Sequence, residues 1–233
     1  TVEGPGKMKI SANEIVFSSL TEITEFCNEL GLWGSFQFAE PIQDNSDNIL
    51  IKEDINIKES AIRKLETMEG GYKPNFKVKV TNHILKIAAE KIADIIKNRL
   101  KEPDNAFIAL LYENSVPNYR AFISNSIRPR KIVLTLYKLL KEKSVFFGHI
   151  ADLGLLCLGV IMQKPVKVRF IHRNAFLVGL LADMALVETG EWMMPVEDEK
   201  TRAMLADRCA TFLPPFEVRP EVIAAVRNHT VKA

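Results

Sequence analysis

The chain has 233 residues, of which 47% are hydrophobic and 26% charged, and its 31 Lys and Arg side chains stand against 29 Asp and Glu side chains. This composition is typical of a globular protein of one or two domains, and it excludes intrinsic disorder, collagen-like repeats and a disulfide-rich scaffold. The small net charge also argues against a uniformly basic coat that would bind nucleic acid.

The cysteines and the apolar runs favour a cytoplasmic protein. Cys27, Cys157 and Cys209 are odd in number and none belongs to a CxxC pair, so we expect no zinc ribbon and interpret them as small buried hydrophobes in a reducing compartment. The most apolar stretch, residues 153–162, has roughly half the length that crosses a bilayer, so we predict no membrane partner. Because the chain begins at Thr1, we expect it to be a piece of a longer protein.

Charge divides the chain into three parts. Residues 1–75 carry 7 basic and 13 acidic side chains, residues 76–148 carry 14 and 6, and residues 149–233 carry 10 of each. The change near residue 75 coincides with Gly70-Gly71 and Pro74, which interrupt regular structure. The predicted organisation is a small α+β N-terminal domain over 1–75, a helical connector over 76–119, and a helical bundle over 120–233.

The first domain shows both helical and strand periodicity. Apolar residues at helical spacing predict a helix over 18–32 that Gly31 would end. Alternating apolar residues predict a strand over 33–39, and the apolar run 49–51 predicts another short strand. A further helix with an Asn or Ser cap is expected over 56–68.

The next segment begins with an alternating strand at 76–80 and continues into the clearest helix of the chain, over 81–100, which Thr81 or Asn82 can cap. Its apolar stripe consists of Ile84, Ala88, Ile92, Ile95 and Ile96. The stripe would belong to the protein's own core or, given about five turns of helix, to a homodimer seam.

Most of the remaining sequence reads as helix. The predicted helices cover 129–143, 145–162, 168–187, 196–212 and 221–229, and the one over 168–187 is apolar on most faces and should be central. Consecutive helices with short loops favour a bundle over a βαβ array, so the predicted fold class is mainly α.

Three polar residues in these apolar helices are candidates for a site: His149, Asp183 and His229. A carboxylate at the centre of a buried helix is costly unless it is paired, hydrogen-bonded or metal-bound. The three side chains could therefore form a metal or substrate site, or a satisfied structural network in the core. His172 starts its helix and is interpreted as a surface or capping residue.

Residues 178–185 read Val-Gly-Leu-Leu-Ala-Asp-Met-Ala and resemble the Ala-Leu-Leu-His-Asp-Ile-Gly-Lys signature of HD-domain phosphohydrolases. More narrowly, the chain resembles the bacterial HD-GYP proteins, which are cyclic di-GMP phosphodiesterases. Residues 149–155 (His-Ile-Ala-Asp-Leu-Gly-Leu) resemble the helix of that family that begins with His, and 226–231 (Val-Arg-Asn-His-Thr-Val) the helix that ends in His-His-Glu. Residues 51–65 resemble the small domain that often precedes HD-GYP. The resemblance implies an HD-like bundle that is truncated at its C-terminus, because the Gly-Tyr-Pro loop would lie beyond Ala233.

The chain departs from the family at the positions that hold metal. Ala182 replaces the His of the His-Asp pair, Val145 the Glu before the first His, and Thr230 the second His near the end. The intermediate His of the family would fall near Asp207 or Arg208, and Ala185-Leu186 replaces Gly-Lys. The resemblance therefore implies that the fold survives, that no residue is catalytic, and that a remnant set would hold at most one divalent transition metal ion. That set is His149, Asp183 and His229.

These observations predict a non-catalytic HD-GYP-like regulatory or interaction protein of bacterial signalling that binds an unidentified protein or nucleotide. The alternatives are a divergent metal-dependent phosphohydrolase with a reduced site, and a scaffold that dimerises through helix 81–100.

The basic segment 76–148 is expected to be a solvated face or to pair with the acidic first segment. Nucleic acid is not expected there, because the segment lacks an aromatic and basic stacking platform. The run Trp192-Met193-Met194 is interpreted as lid packing or a partner contact.

Overall fold

The structure is a computed structural model that describes residues 9–10, 14–68, 71–73, 75–113, 119–165, 168–187 and 199–228. It is mainly helical, with a small strand-containing N-terminal region, which confirms the predicted fold class. The chain forms two compact units, Thr1–Ala88 and Ala89–Ala233. The domain limits at residues 75 and 119 stay predictions.

Two helices of the first unit lie within the ranges predicted for them. Helix α1 is Leu20–Leu30; the Ser19 hydroxyl accepts a hydrogen bond from the Glu22 amide at its start, and Gly31 ends it with φ of 64°. That left-handed conformation favours glycine, as the sequence predicted. Helix α2 is Glu59–Glu66 with Lys58 at the N-cap position. The expected Asn cap is wrong, because the Asn56 carboxamide oxygen accepts a hydrogen bond from Gln37 Nε2 (2.8 Å) instead.

The strands of the first unit form two small antiparallel sheets. One has the order β1-β2-β5, and the other pairs β3 with β4. The bounds are Lys9–Ile10 for β1, Glu14–Phe17 for β2, Ile42–Gln43 for β3, Ile49–Ile51 for β4 and Phe76–Lys79 for β5. Strands β4 and β5 were predicted, whereas β1, β2 and β3 were not. Strands β1 and β3 contain only two residues each, which is too short for a periodic pattern, and β2 was missed although it is as long as β5.

The predicted strand over 33–39 is wrong. All seven residues are described, and they contain only the isolated bridges Gln37↔Asn56 and Phe38↔Val78. The alternation has another cause: Phe36 and Phe38 are both fully buried and pack edge to face, with ring centroids 6.0 Å apart. An aromatic cluster at every second residue imitates the period of a strand.

Helices dominate the second unit, which α3 enters from the first. Their bounds are Asn82–Asn98 for α3, Ala106–Leu110 for α4, Tyr119–Ile127 for α5, Arg130–Glu142 for α6, Ser144–Met162 for α7, Arg169–Leu181 for α8, Glu199–Phe212 for α9 and Pro220–Asn228 for α10. The predictions for α3, α6, α7, α9 and α10 are confirmed to within a few residues, apart from residues 196–198 and 229, which lie outside the described residues. Helices α4 and α5 were not predicted.

The predicted helix over 168–187 is too long. Helix α8 ends at Leu181, and Met184–Leu186 forms a separate 3-10 turn. Asp183 therefore lies in the connecting turn and not at the centre of a buried helix. The apolar pattern continues past the helix end because Met184 and Leu186 are buried in the turn as well, at 1% and 5% exposure, and burial does not distinguish a turn from a helix.

The stripe of α3 is part of the protein's own core. Ile84, Ala88, Ile92 and Ile96 are buried, whereas Ile95 is 38% exposed. The Thr81 hydroxyl accepts a hydrogen bond from the Ile84 amide, so the predicted cap is present. A homodimer through this helix stays a prediction.

Helix α7 and helix α8 pack antiparallel at two glycines. A Cβ atom on Gly154 would lie 3.1 Å from the Phe176 ring, and one on Gly179 would lie only 2.3 Å from the Leu153 carbonyl oxygen. Small residues at a helix crossing allow the backbones to touch.

Within the described part of the chain, α7 is also the one helix whose length and composition would suit a membrane span. Half of that stretch is buried inside the protein, as in a core helix.

Several basic residues of the segment 76–148 pair with acidic ones. In the first unit, Lys77 forms an ion pair with Glu40 and Lys79 one with Asp54, so part of the basic segment does pair with the acidic first segment. In the second unit, Arg120 of α5 donates two hydrogen bonds to the Asp94 carboxylate of α3.

The Arg120 bond makes the stability of the second unit depend on pH. It is the main cause that lowers the pKa of Asp94 below that of a free Asp. A carboxyl group whose pKa is lower in the folded state stabilises the protein above its unfolded pKa of about 4, and this contribution is lost as the pH falls through the folded-state pKa. We expect Arg120→Gln to lower the unfolding free energy by less than about 1 kcal/mol at neutral pH, because the pair is exposed. In urea titrations at a series of pH values, the two proteins should converge in acid; a difference that persists there would contradict this.

Candidate functional site

The candidate site is built on a contact between His149 and Asp183. His149 lies one turn into α7, and Asp183 lies in the turn that follows α8. Because the two helices run antiparallel, these residues meet: His149 Nε2 lies 2.7 Å from Asp183 Oδ2. Both side chains are partly exposed, at 30% and 21%. Two of the three predicted site residues are therefore brought together.

An ionised Asp183 fixes the tautomer of His149. Because a carboxylate can only accept a hydrogen bond, the proton between the two atoms is then carried by His149 Nε2. A nitrogen that carries a proton is not a metal ligand, since metals bind the neutral imidazole through its lone pair. In this arrangement the histidine satisfies the carboxylate that the sequence singled out as costly.

A second contact holds the same turn from the start of α7. The Lys143 ammonium, directly before the helix, donates a hydrogen bond to the Val187 carbonyl oxygen at 3.0 Å. The turn that carries Asp183 is therefore tied at both of its ends, by Lys143 and by His149. The sequence did not reveal the Lys143 contact, because its acceptor is a backbone carbonyl that has no residue signature.

The residues that replace the metal ligands of the HD-GYP pattern differ in their surroundings. Ala182, beside Asp183, is 7% exposed and presents a methyl group with no donor atom. Val145, one turn before His149, is 72% exposed. The Phe146 ring lies 6.2 Å from the His149 ring, centroid to centroid, so the imidazole has an aromatic neighbour.

The third predicted site residue, His229, lies outside the described residues, as do Thr230 and the run Trp192-Met193-Met194. Across the ranges that the structure covers, no three His, Cys, Asp or Glu side chains form a group that could hold a metal ion. Among these residues, His149 and Asp183 are the donors that a metal could use, provided that their mutual hydrogen bond opens. Of the positions proposed for the intermediate His, Asp207 forms an exposed ion pair with Arg227 (2.9 Å).

The residue His172 differs from its expected role. It lies in the first turn of α8, where the N-cap position is Val168, so His172 does not cap the helix. Its side chain is half-buried, and its Nε2 atom is enclosed with no hydrogen-bond partner in the part of the chain that the structure describes. The interpretation as a surface or capping residue is therefore wrong in part.

A polar cluster that the sequence analysis missed lies one turn from His149. Asp152 accepts hydrogen bonds from Arg99 Nε (2.5 Å) and Nη2 (2.6 Å), and a third from Asn105 Nδ2 (2.9 Å). Arg99 and Asp152 are 23% and 24% exposed, and the carboxylate raises the pKa of the guanidinium. The available signal was Asp152 itself, a carboxylate in an apolar helix; its partner, 53 residues earlier, could not be found from spacing.

The three cysteines are thiols that lie in or near the core. Cys27 and Cys209 are buried and Cys157 is half-buried. Burial raises the pKa of the Cys27 thiol to about 12 and also raises that of Cys157. Such thiols are poor nucleophiles at neutral pH, in keeping with their interpretation as small hydrophobes.

In comparisons with protein-family models, curated proteins and solved structures, none gives a significant match to this chain. The HD-GYP resemblance therefore rests on the motifs quoted above.

Proposed function

We propose that this protein is a non-catalytic HD-GYP-like regulatory or interaction protein of bacterial signalling. The observation that carries the proposal is the hydrogen bond between His149 Nε2 and Asp183 Oδ2, beside the methyl group of Ala182. At the positions where the family pattern places three metal ligands, one side chain has no donor atom and the other two satisfy each other.

The chemistry of phosphodiester hydrolysis explains why this pair matters. A metal ion generates hydroxide at neutral pH by lowering the pKa of a bound water, and the protein must fix that ion with several neutral imidazoles and carboxylates. A protonated Nε2 supplies no lone pair, which leaves Nδ1 as the single ring nitrogen of His149 that could bind a metal ion, and the negative charge of Asp183 is engaged by the N–H group. The pair instead holds the turn after α8 on α7, which is a structural role.

The alternative is a divergent phosphohydrolase in which His149, Asp183 and His229 hold one divalent ion. One observation favours this alternative: the His149 and Asp183 side chains are adjacent, with Nε2 and Oδ2 2.7 Å apart. Binding of one ion by both Nε2 and the Asp183 carboxylate would require the loss of the proton from Nε2 and the separation of the two groups, so this metal uptake would be strongly dependent on pH.

Hydrolysis of cyclic di-GMP separates the two functions. We expect the purified protein to release no product above the rate without protein when Mn²⁺ or Fe²⁺ is supplied, and Asp183→Ala to leave that baseline unchanged. Elemental mass spectrometry on protein purified without chelator or affinity metal should find no stoichiometric transition metal.

The matched control is Asp104→Ala, which removes an exposed carboxylate of the same unit. Turnover or bound metal that is lost in Asp183→Ala but kept in Asp104→Ala would contradict the proposal and establish the phosphohydrolase. Calorimetric titration with cyclic di-GMP then tests the regulatory function, because binding without turnover is its expected signature.

A further inference from the structure

The hairpin formed by α7 and α8 is unusual in charge. Between Asp152 and Asp183 the sequence contains no Asp or Glu, but it contains Lys164, Lys167, Arg169 and Arg173. Lys164 and Arg169 are exposed on either side of the short connection between the two helices, because α7 ends at Met162 and α8 begins at Arg169. Lys167 lies outside the described residues, and Arg173 is half-buried. No acidic side chain of the sequence between Asp152 and Asp183 compensates these positive charges, so the connected end of the hairpin attracts anions.

Apolar side chains are interleaved with these cations. Val160, Val168 and Phe170 are 48%, 44% and 47% exposed, and the Lys164 and Arg169 side chains are exposed beside them. We call these five residues the hairpin tip. Such a surface exposes apolar side chains to water, which is unfavourable, and presents positive charges beside them. It therefore matches a partner that is both apolar and anionic.

Helix α4 extends the apolar part of the tip. Gln163, directly after α7, donates a hydrogen bond from Nε2 to the Leu111 carbonyl oxygen at 2.7 Å, which fixes the end of α4 beside the tip. The neighbouring Leu110 is 59% exposed. The end of α4 therefore adds an exposed apolar residue from a separate part of the chain, close to the end of α7.

The guanidinium of Arg219 lies 5.4 Å from the centre of the Phe170 ring. This contact covers part of the aromatic face on which a nucleobase would stack. Arg219 also lies between Glu217 and Glu221 in sequence, so it adds little net charge. The other apolar residues at the tip are aliphatic and offer no stacking surface, which favours a lipid surface over a nucleic acid.

We propose that the hairpin tip docks on an anionic membrane surface, with Val160, Val168 and Phe170 entering the interface and Lys164 and Arg169 contacting lipid phosphates. This peripheral contact is independent of the proposed signalling function, and it replaces the sequence-based prediction of no membrane partner, which was argued from the length of an apolar run that would have to cross the bilayer. Each basic side chain near an anionic bilayer contributes about fivefold to the binding constant, and each inserted apolar side chain contributes at least as much.

The test is co-sedimentation of the full chain with vesicles of phosphatidylcholine alone or mixed with phosphatidylglycerol. We expect binding to the mixed vesicles only, weakened by added salt. Arg169→Gln should lower the partition coefficient about fivefold, and Phe170→Ser about fivefold or more. Circular dichroism of each variant establishes that it is folded.

Lys52→Gln and Met204→Ser are the matched controls, since both side chains are exposed and neither belongs to the tip. Equal binding to both kinds of vesicle, or equal losses in tip and control variants, would overturn the proposal. The same holds if the tip variants lose binding to poly-glutamate or to a single-stranded oligonucleotide while the wild type ignores vesicles, because the partner would then be an acidic protein or a nucleic acid.

Discussion

Replacing Gly179 by alanine lowers the free energy of unfolding by at least about 2 kcal/mol. The new methyl group would lie 2.3 Å from the Leu153 carbonyl oxygen and 2.9 Å from Cys157 Sγ. A backbone carbonyl cannot rotate away as a side chain does, so α7 and α8 must separate and lose close packing. Alanine gains up to about 1 kcal/mol of helix propensity over glycine, which offsets only part of this cost. Urea unfolding followed by circular dichroism measures the difference.

Gly154→Ala is the control for this substitution. Its methyl group would meet the edge of the Phe176 ring at 3.1 Å, and a ring can shift by a few tenths of an ångström. We expect a change within about 1 kcal/mol of zero, because helix propensity and crowding oppose each other. If the two alanine variants were equally stable, the direct backbone contact at Gly179 would be wrong.

Replacing Asp152 by alanine lowers the free energy of unfolding by about 2–4 kcal/mol. The carboxylate accepts two hydrogen bonds from Arg99 and one from Asn105, and its loss leaves a largely buried guanidinium with the half-exposed Glu102 carboxylate as its remaining charge partner. The value lies below that of a fully buried pair because about a quarter of each ionic side chain is exposed. Thermal and urea unfolding of the variant measure the loss.

A double-mutant cycle with Arg99→Met isolates this interaction. In the Met background the guanidinium is absent, so Asp152→Ala should cost about 1–3 kcal/mol less than in the wild type. Asp207→Ala serves as the exposed reference, for which we expect less than about 1 kcal/mol because both partners of its ion pair are largely in water. If the two substitutions lowered the free energy of unfolding additively, Arg99 and Asp152 would not stabilise the protein through their mutual contact.

The sequence by itself determined the features that depend on neighbours along the chain. Apolar residues at helical spacing located α1 and α3, a continuous apolar run located α7, and Gly31 and Thr81 marked a helix end and a helix start. Such signals are local, because a helix is formed by hydrogen bonds within one segment and is ended by its own capping residues. The local pattern led to two wrong predictions. At residues 33–39 an aromatic cluster has the alternation of a strand, and after Leu181 the buried residues of a turn continue the apolar pattern of the helix.

The sequence also identified His149 and Asp183, because an ionisable group within an apolar segment requires a partner. It did not show that they are partners of each other, and it gave no sign that Arg99 and Asn105 satisfy Asp152. Only the tertiary structure decided these pairs. The antiparallel packing of α7 on α8 at Gly154 and Gly179 brings together side chains that are 34 residues apart, and contacts at that range depend on how helices pack and not on the spacing of residues within them.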